Sequence, residues 1–136
     1  MSKPSILLIG AGGHAQSCID VIEREDRFRI AGLVGLPHEV GSNTLGYPVL
    51  GTDTDLSGLR KDIPYALVTV GQIKSPELRR TLFQRAEQMG FSMPTVVSPA
   101  AYVSPHAALG AGTIVMHGAI VNTGAVIGSN CILNSR

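Results

Sequence analysis

The chain has almost no excess of either charge. Its 11 Lys and Arg residues nearly balance 10 Asp and Glu residues, which gives a net charge of +1. No basic tract interrupts this balance, so the sequence offers no electrostatic surface for nucleic acid or for an anionic membrane. A nucleic-acid partner is therefore not expected.

Long apolar runs and cysteine clusters are also missing. The N-terminal apolar run is short, broken by glycines and not followed by a small-residue cleavage site, and no later run approaches membrane-spanning length. Cys18 and Cys131 lie far apart, with no CxxC pair and no nearby pair of histidines. We therefore expect a cytoplasmic protein with no membrane span, disulfide or metal site, in which both cysteines are small buried residues.

A six-residue repeat covers the C-terminal part of the chain. Every sixth residue is aliphatic, and a small residue follows most of these positions four places later. The aliphatic set is Val97, Val103, Leu109, Val115, Val121, Ile127 and Leu133, and the small set is Ala101, Ala107, Thr113, Ala119, Ala125 and Cys131. Short strands joined by turns can stack on copies of themselves only if such side chains fill the coil, so the period predicts a parallel β-helix. An ordinary loop or hairpin would not keep this period.

The N-terminal part alternates between strand and helix patterns. We predict strands at residues 5–9, 29–34 and 65–70, a helix at 15–24 with Cys18, Ile19 and Ile22 buried, and a loop at 35–54. The sequence Ser75-Pro76-Glu77 predicts the start of another helix, which Gly90 closes. Its predicted buried stripe is Leu78, Leu82, Ala86 and Met89. The fold class is thus α/β, with a Rossmann-like βαβ domain at residues 1–94 and repeats at residues 95–136.

The glycine-rich turn after the first strand has three possible interpretations. Gly10-x-Gly12-x-x-Ala15 fits a dinucleotide fingerprint, in which glycines let a pyrophosphate approach a helix N-terminus. A nicotinamide site also needs an acid at the end of the second strand, but that strand ends at Val34-Gly35 with no acid before Glu39. The glycines could instead serve only strand–helix packing. We favour binding of a nucleotide or diphosphate.

Few other residues suggest chemistry. His14, at the mouth of the first helix, is either a ligand to a phosphate or sugar group or a solvated capping residue. We expect His106 and His117 to be solvated turn residues, and Arg79 and Arg80 to be surface charges, one of which could reach a phosphate. The acids Glu23, Glu25 and Asp26 suggest a solvated helix end. No Ser-His-Asp or Cys-His arrangement can be assembled from the spacing.

Four segments together resemble a known family: ILLIGAGGHAQSCIDVIE, GYPVLGT, YALVTVGQ and the repeats from Ser98 to the C-terminus. They are similar to the sialic acid O-acetyltransferase and bacillosamine N-acetyltransferase group of bacterial sugar acyltransferases. The resemblance implies a Rossmann-like domain that binds a nucleotide-activated sugar, a left-handed parallel β-helix, a homotrimer, and acetyl-CoA bound along the helix between subunits. It assigns Gly10, Gly12, Gly13, His14 and Gly71 to the sugar nucleotide, and Asn122 to the acceptor or thioester.

The resemblance also implies a mechanism, in which the sugar's amine or hydroxyl attacks the thioester and a histidine acts as general base. That histidine follows an Ile-Leu-Asn stretch, which is Ile132-Leu133-Asn134 here, so we expect the base beyond Arg136 and the β-helix to be incomplete. Two positions depart from the family. Val34-Gly35 replaces the aspartates often used toward the nucleotide, and Ser98 stands where a histidine is common. Uridine specificity is therefore not implied.

Three functions remain open on the sequence. The first is a sugar acetyltransferase, whose catalytic histidine would lie outside this chain. The second is a non-catalytic module that binds nucleotide sugars or serves assembly. The third is a small dinucleotide oxidoreductase. We prefer the first, with acetyl-CoA as cosubstrate.

Overall fold

A computed structural model describes residues 2–71 and 76–134, and the N-terminal part is built on a mainly parallel sheet. Strand β1 (Ser5–Ile9) continues through a glycine-rich turn into helix α1 (Gly13–Glu25), and β2 (Arg29–Val34) returns beside β1. Both strands have the predicted bounds. The predicted face of α1 is buried, with Cys18, Ile19 and Ile22 all fully inaccessible, because side chains three and four residues apart share one face of a helix.

The segment predicted as a loop, residues 35–54, contains regular structure, so that prediction was wrong. A 3-10 helix (Pro37–Glu39) leads to β3 (Asn43–Thr44) and β4 (Tyr47–Gly51), and a second 3-10 helix (Asp53–Asp55) leads to α2 (Leu56–Leu59). Strand β4 is parallel to β2 and antiparallel to β3. Proline and glycine are rare within strands, so Pro48 and Gly51 made this segment resemble a loop. It is nevertheless a short strand, and its Val49 is buried against the sheet.

The next strand and helix complete the sheet. Strand β5 (Tyr65–Val68) pairs with β1 and ends two residues earlier than predicted, so the order across the sheet is β3-β4-β2-β1-β5. Helix α3 (Pro76–Gln88) begins at the predicted proline, whereas the predicted cap, Ser75, lies outside the described residues. It ends before Gly90, whose φ of +94° is a left-handed conformation that glycine adopts without strain.

The buried face of α3 differs from the predicted stripe. Leu82 and Ala86 are buried as predicted, but the prediction for Leu78 and Met89 was wrong, because they are 52% and 40% exposed. Arg79 and Phe83 are buried in their place. Residues 79, 82, 83 and 86 follow the i, i+3, i+4, i+7 spacing of one helix face, and this face is rotated around the helix axis from the predicted one.

The C-terminal part is the predicted parallel β-helix. Its two-residue strands are β6 (Val96–Val97), β7 (Tyr102–Val103), β8 (Ala108–Leu109), β9 (Ile114–Val115), β10 (Ile120–Val121), β11 (Val126–Ile127) and β12 (Ile132–Leu133). Val96 pairs with Ile114 and Ile114 with Ile132, so one coil takes three six-residue repeats. The β7–β10 and β8–β11 pairs form the other two faces.

The repeat positions fill the inside of the coil. All seven predicted aliphatic residues, together with Ala101, Ala107, Ala119 and Ala125, belong to one apolar cluster. Thr113 is fully buried, where its hydroxyl donates to the Gly128 carbonyl and accepts from the Cys131 amide. Cys131 itself is only partly buried, so the prediction of a buried residue holds for Cys18 alone.

The two parts share a core. Buried residues of α1, β1, β2 and β5 form one cluster with Val96 and Ile114 of the first coil. Phe83 of α3 lies against the turn at Gly112, where an added Cβ would clash with its ring. Glu25, predicted to be solvated, accepts a hydrogen bond from the Val97 amide at 3.1 Å. Within the described ranges, no helix is long and apolar enough to cross a membrane.

Candidate functional site

The turn after β1 requires glycine at its first position. Gly10 has a φ of +130°, and a Cβ there would lie 2.7 Å from Val70 Cγ1 and 2.9 Å from the Val70 amide nitrogen. The backbone of β1 therefore passes directly against the residues that follow β5. This contact brings the two strand ends, and the segments that leave them, to one edge of the sheet.

Gly12 and Gly13 stand at the N-terminus of α1 with open space around them. Gly12 is the residue before the helix and Gly13 its first residue, and a Cβ added to either would meet nothing within 4 Å. The first turn of the helix has no acidic residue. Backbone N–H groups at such an end attract anions because they lack partners within the helix and carry the positive end of its dipole.

His14 lies beside Gly71, so the structure brings together two residues that the sequence placed in one site. A Cβ added to Gly71 would lie 3.7 Å from His14 Cβ. The imidazole is half-buried, and its Nε2 lies 3.3 Å from Cys18 Sγ, one helical turn away. Burial and then the nearby Arg79 charge lower the pKa of His14 below 6.5. His14 is thus neutral at pH 7 and is not a freely solvated cap.

The thiol partner of His14 stays protonated. Burial raises the pKa of Cys18 to about 12, although the Arg79 charge acts in the opposite direction. A neutral thiol is a weak donor and a weak acceptor, so this contact holds the ring in place without ion-pair chemistry. A reactive thiolate at Cys18 is excluded at neutral pH.

A cavity of about 550 Å³ opens beside the glycine-rich turn. Its apolar walls come from the ends of β1 and β2 and from α3, and its polar groups come from the two 3-10 helices. The lining residues are Ile9, Gly10, Ala11, Gly12, Val34, Gly35, Leu36, Pro37, Glu39, Thr52, Asp53, Thr54, Val70, Leu78 and Leu82. This volume suits a small organic ligand. The exposure of Leu78 is explained by its position on the cavity wall.

An acid that the sequence pattern did not place in the site lies at the end of β2. Glu39 folds back from its 3-10 helix, and its Oε1 accepts a hydrogen bond from the Leu36 amide at 2.7 Å. A Cβ added to Gly35 would lie 2.7 Å from this oxygen and 3.1 Å from Ala11 Cβ. The signal available in the sequence was the proline at 37 with a glutamate two residues later, a helix-start pattern.

Arg79 is not the surface charge that we predicted. It is 1% exposed, and its Nη1 donates to the carbonyls of Val68 and Val70 at 2.9 Å each. Its Nε donates to the Asn130 carbonyl, and the Asn130 side chain donates back to the Arg79 carbonyl. The guanidinium thus joins α3, the end of β5 and a turn of the β-helix. The neighbouring Arg80 is exposed.

His117 is not a solvated turn residue either. Its Nδ1 lies 2.5 Å from Ser98 Oγ, and its Nε2 lies 2.8 Å from Asp20 Oδ2 on α1. The spacing gave no sign of this Ser-His-Asp chain. Ser98 is 1% exposed and its hydroxyl also accepts from the Ala100 amide. These hydrogen bonds join helix α1 to two turns of the β-helix.

The remaining candidates lie elsewhere. Asn122 is exposed on the β-helix and lines a second cavity of about 490 Å³ between β10 and β12. The structure therefore does not bring it into the glycine-rich site. His38 and His106 are exposed. Among the described residues, no group of three His, Cys, Asp or Glu side chains could hold a metal ion.

A mainly parallel sheet with an open glycine-rich turn, joined directly to a parallel β-helix, defines an α/β protein with a Rossmann-like N-terminal domain. The chain belongs to the family defined by the PglD N-terminal domain, whose model matches residues 5–86. No curated protein sequence matches the chain.

Solved structures agree with this assignment. PerB from Caulobacter crescentus, in complex with CoA and GDP-perosamine, is 32% identical with a TM-score of 0.87, and the match covers 96% of this chain and 60% of PerB. The acetyltransferase domain of PglB from Neisseria gonorrhoeae FA1090, in complex with acetyl coenzyme A, is 30% identical with a TM-score of 0.84. That match covers 98% of this chain and 62% of the PglB domain. The chain thus spans about three fifths of these relatives.

Proposed function

We propose that this chain is part of an enzyme that transfers an acetyl group from acetyl-CoA to a nucleotide-activated amino sugar in bacterial surface-glycan biosynthesis. The observation that carries the proposal is the 550 Å³ cavity beside the open turn of Gly10, Gly12 and Gly13, in a fold shared with PerB and PglB. The cytoplasm, where acetyl-CoA and sugar nucleotides are made, is its proposed location.

The proposed sugar-nucleotide site belongs to a domain at residues 1–94. The diphosphate would lie at the N-terminus of α1, where Gly12 and Gly13 leave the backbone open. Neutral His14, beside Gly71, would donate or accept a hydrogen bond at the sugar or phosphate without adding charge. The backbone conformation of Gly10 forms the turn, and we propose no direct contact between this residue and the ligand.

The proposed acetyl-CoA site belongs to the β-helix at residues 95–136. In the reaction the sugar nitrogen attacks the thioester carbonyl carbon, the new C–N bond forms as the C–S bond breaks, and a base takes the nitrogen's proton. Asn122, exposed on a coil, is the residue of this chain proposed to lie near the thioester. The general base that the family resemblance implies is a histidine that is not among the residues of this sequence.

We also propose a homotrimer, formed through the β-helix. Tyr102 and Ile120 are paired neighbours on one face and are 57% and 70% exposed, and Val126 on the next face is 82% exposed. Large apolar side chains grouped on a surface favour a protein interface. Sedimentation equilibrium tests this assembly, and Ile120→Glu is expected to shift it toward monomer.

The test of the function separates binding from transfer. Calorimetry should show that GDP- and UDP-linked amino sugars and acetyl-CoA bind the chain. Mass spectrometry should show an acetylated sugar when the protein assayed also carries the histidine that the family resemblance implies. Binding without any transfer by that protein would favour the non-catalytic module. Tight binding of NADH with no binding of a sugar nucleotide would favour the oxidoreductase.

A further inference from the structure

Glu39 is one of two acids that line the cavity beside the glycine-rich turn. Its Oε1 accepts a hydrogen bond from the Leu36 amide, and among the described residues its Oε2 has no hydrogen-bond partner. The other acid that lines the cavity, Asp53, is paired with Arg85 at 2.5 Å. Glu39 therefore brings an uncompensated acceptor to the cavity wall.

The position of this acceptor decides which part of a ligand it can contact. Glu39 lies across Gly35 from Ala11, so it borders the same turn that offers N–H groups to a diphosphate. Phosphate oxygens and an ionised carboxylate are both acceptors and repel each other. A ligand whose diphosphate binds at α1 would thus present hydroxyl or N–H donors to Glu39. His14 and Gly71, which are proposed to contact the sugar or phosphate, lie at the end of β5 on the other side of β1, so we place the nucleoside on the Glu39 side.

We propose that Glu39 is a specificity-determining residue, whose free carboxylate oxygen accepts a hydrogen bond from the ribose or base of the bound nucleotide. It supplies the acid that the end of β2 lacks in the linear sequence, since Val34 and Gly35 are followed by Glu39 only after the 3-10 helix. The inference rests on the proposed function. A charge-assisted hydrogen bond in a partly dry cavity carries both affinity and discrimination.

Glu39→Gln tests the inference, and Asp55→Asn is its matched control. Asp55 Oδ2 accepts from the Thr52 amide at 2.8 Å at the start of the next 3-10 helix, the same local role as Glu39, but Asp55 does not line the cavity. Each variant removes one negative charge and keeps an amide oxygen for the backbone N–H. A difference in nucleotide affinity between the two variants is therefore due to the carboxylate in the cavity and not to the loss of charge at the start of a 3-10 helix.

Calorimetry with GDP, UDP, their amino-sugar conjugates, inorganic diphosphate and NADH gives the readout. We expect Glu39→Gln to weaken GDP or UDP binding by about tenfold to a hundredfold while diphosphate affinity changes less than about threefold, and Asp55→Asn to leave both within about twofold. If 2′-deoxy-GDP loses the same affinity and Glu39→Gln adds nothing further, the donor is the ribose hydroxyl. If Glu39→Gln weakens the binding of GDP and of 2′-deoxy-GDP by the same factor, the donor is the 3′-hydroxyl or the base.

The outcomes that overturn the inference differ from those that overturn the function. Unchanged GDP and UDP binding by Glu39→Gln, in a chain that binds them normally when unaltered, rejects the role of Glu39 alone. A deficit that appears only when the sugar is attached also rejects it, because Glu39 would then contact the sugar. If the unaltered chain binds neither nucleotide nor diphosphate, both the role of Glu39 and the proposed function are rejected. If Glu39→Gln weakens the binding of NADH alone, the proposed acetyltransferase function is rejected.

Discussion

At the scale of single residues, Gly10 is a position at which the fold does not accommodate a side chain. Gly10→Ala would combine a strained φ of +130° with a contact of 2.7 Å to the Val70 side chain and 2.9 Å to its backbone. We expect the free energy of unfolding to fall by about 3 kcal/mol, since backbone strain and overpacking each cost about 1–3 kcal/mol. Urea denaturation followed by circular dichroism measures the loss.

Gly13→Ala is the matched control for Gly10→Ala. A Cβ at Gly13 meets nothing within 4 Å, and the residue opens α1. Alanine is favoured over glycine in a helix by up to about 1 kcal/mol, so this variant should be as stable as the original or slightly more so. Equal destabilisation by both substitutions would contradict the close approach of β1 to Val70.

His14 gives the site a pH dependence. Because burial lowers its folded-state pKa below 6.5, the unfolded chain binds the proton more readily than the folded one. Its contribution to stability is complete above the unfolded pKa of about 6.5 and is lost as the pH falls toward the folded value. We expect the free energy of unfolding to fall as the pH drops below about 6.5, and to fall less steeply in His14→Gln.

Urea titrations at several pH values, with His106→Gln as control, measure this difference. His106 is exposed on the β-helix, so its removal should leave the slope unchanged. A His14→Gln slope equal to that of the unaltered chain would show that the imidazole titrates as freely when folded as when unfolded.

The sequence could predict some of these residues and not others. Gly10, Gly12 and His14 follow from a local pattern, because a strand, a tight turn and a helix start are adjacent in the chain, whereas Gly13 and Gly71 were assigned by the family resemblance. Glu39 could not be placed, since its carboxylate reaches the end of β2 only through a short 3-10 helix. His117 and Asp20 are 97 positions apart, a separation at which spacing carries no information.

At the scale of elements, Arg79 links a helix, a strand end and a coil turn. Arg79→Met would remove the donor to three carbonyls, those of Val68, Val70 and Asn130. Buried acceptors left without partners are costly, and we expect a loss of about 3 kcal/mol or more. Lysine keeps the charge but cannot span three carbonyls, so Arg79→Lys should be intermediate.

Thermal and urea unfolding of these variants can be compared with Arg80→Met. Arg80 is the exposed neighbour on the same helix, and its loss should change the free energy of unfolding by less than about 0.5 kcal/mol. An Arg79→Met protein as stable as Arg80→Met would mean that the guanidinium does not hold the three elements together.

Elements differ in how far the sequence predicts them. The β-helix and the side chains that fill it were predicted because the period repeats seven times, whereas α3 was predicted in position but with its buried face rotated. Arg79 explains the rotation. A charged residue is not counted toward an apolar stripe, and only the carbonyls of β5 and the Asn130 turn make its burial favourable.

At the scale of the whole molecule, the sheet and the β-helix share one hydrophobic core, so we expect them to unfold together. Cys18 reports this directly. It is fully buried in the cluster that contains Val96 and Ile114 of the first coil, and its pKa is raised to about 12. In a Cys131→Ser background, the Cys18 thiol should react with a thiol reagent only when the shared core opens.

Pulsed thiol labelling across a urea series measures that opening. We expect the labelling midpoint to coincide with the midpoint from circular dichroism, because coincident transitions by different probes mark a two-state unit. In the reciprocal Cys18→Ser protein, Cys131, which is only partly buried, should react in the native state. Labelling of Cys18 at lower urea than the loss of β-structure would instead show that α1 and the first coil separate before the sheet unfolds, and that the interface built by Glu25, Arg79 and His117 is weaker than either part.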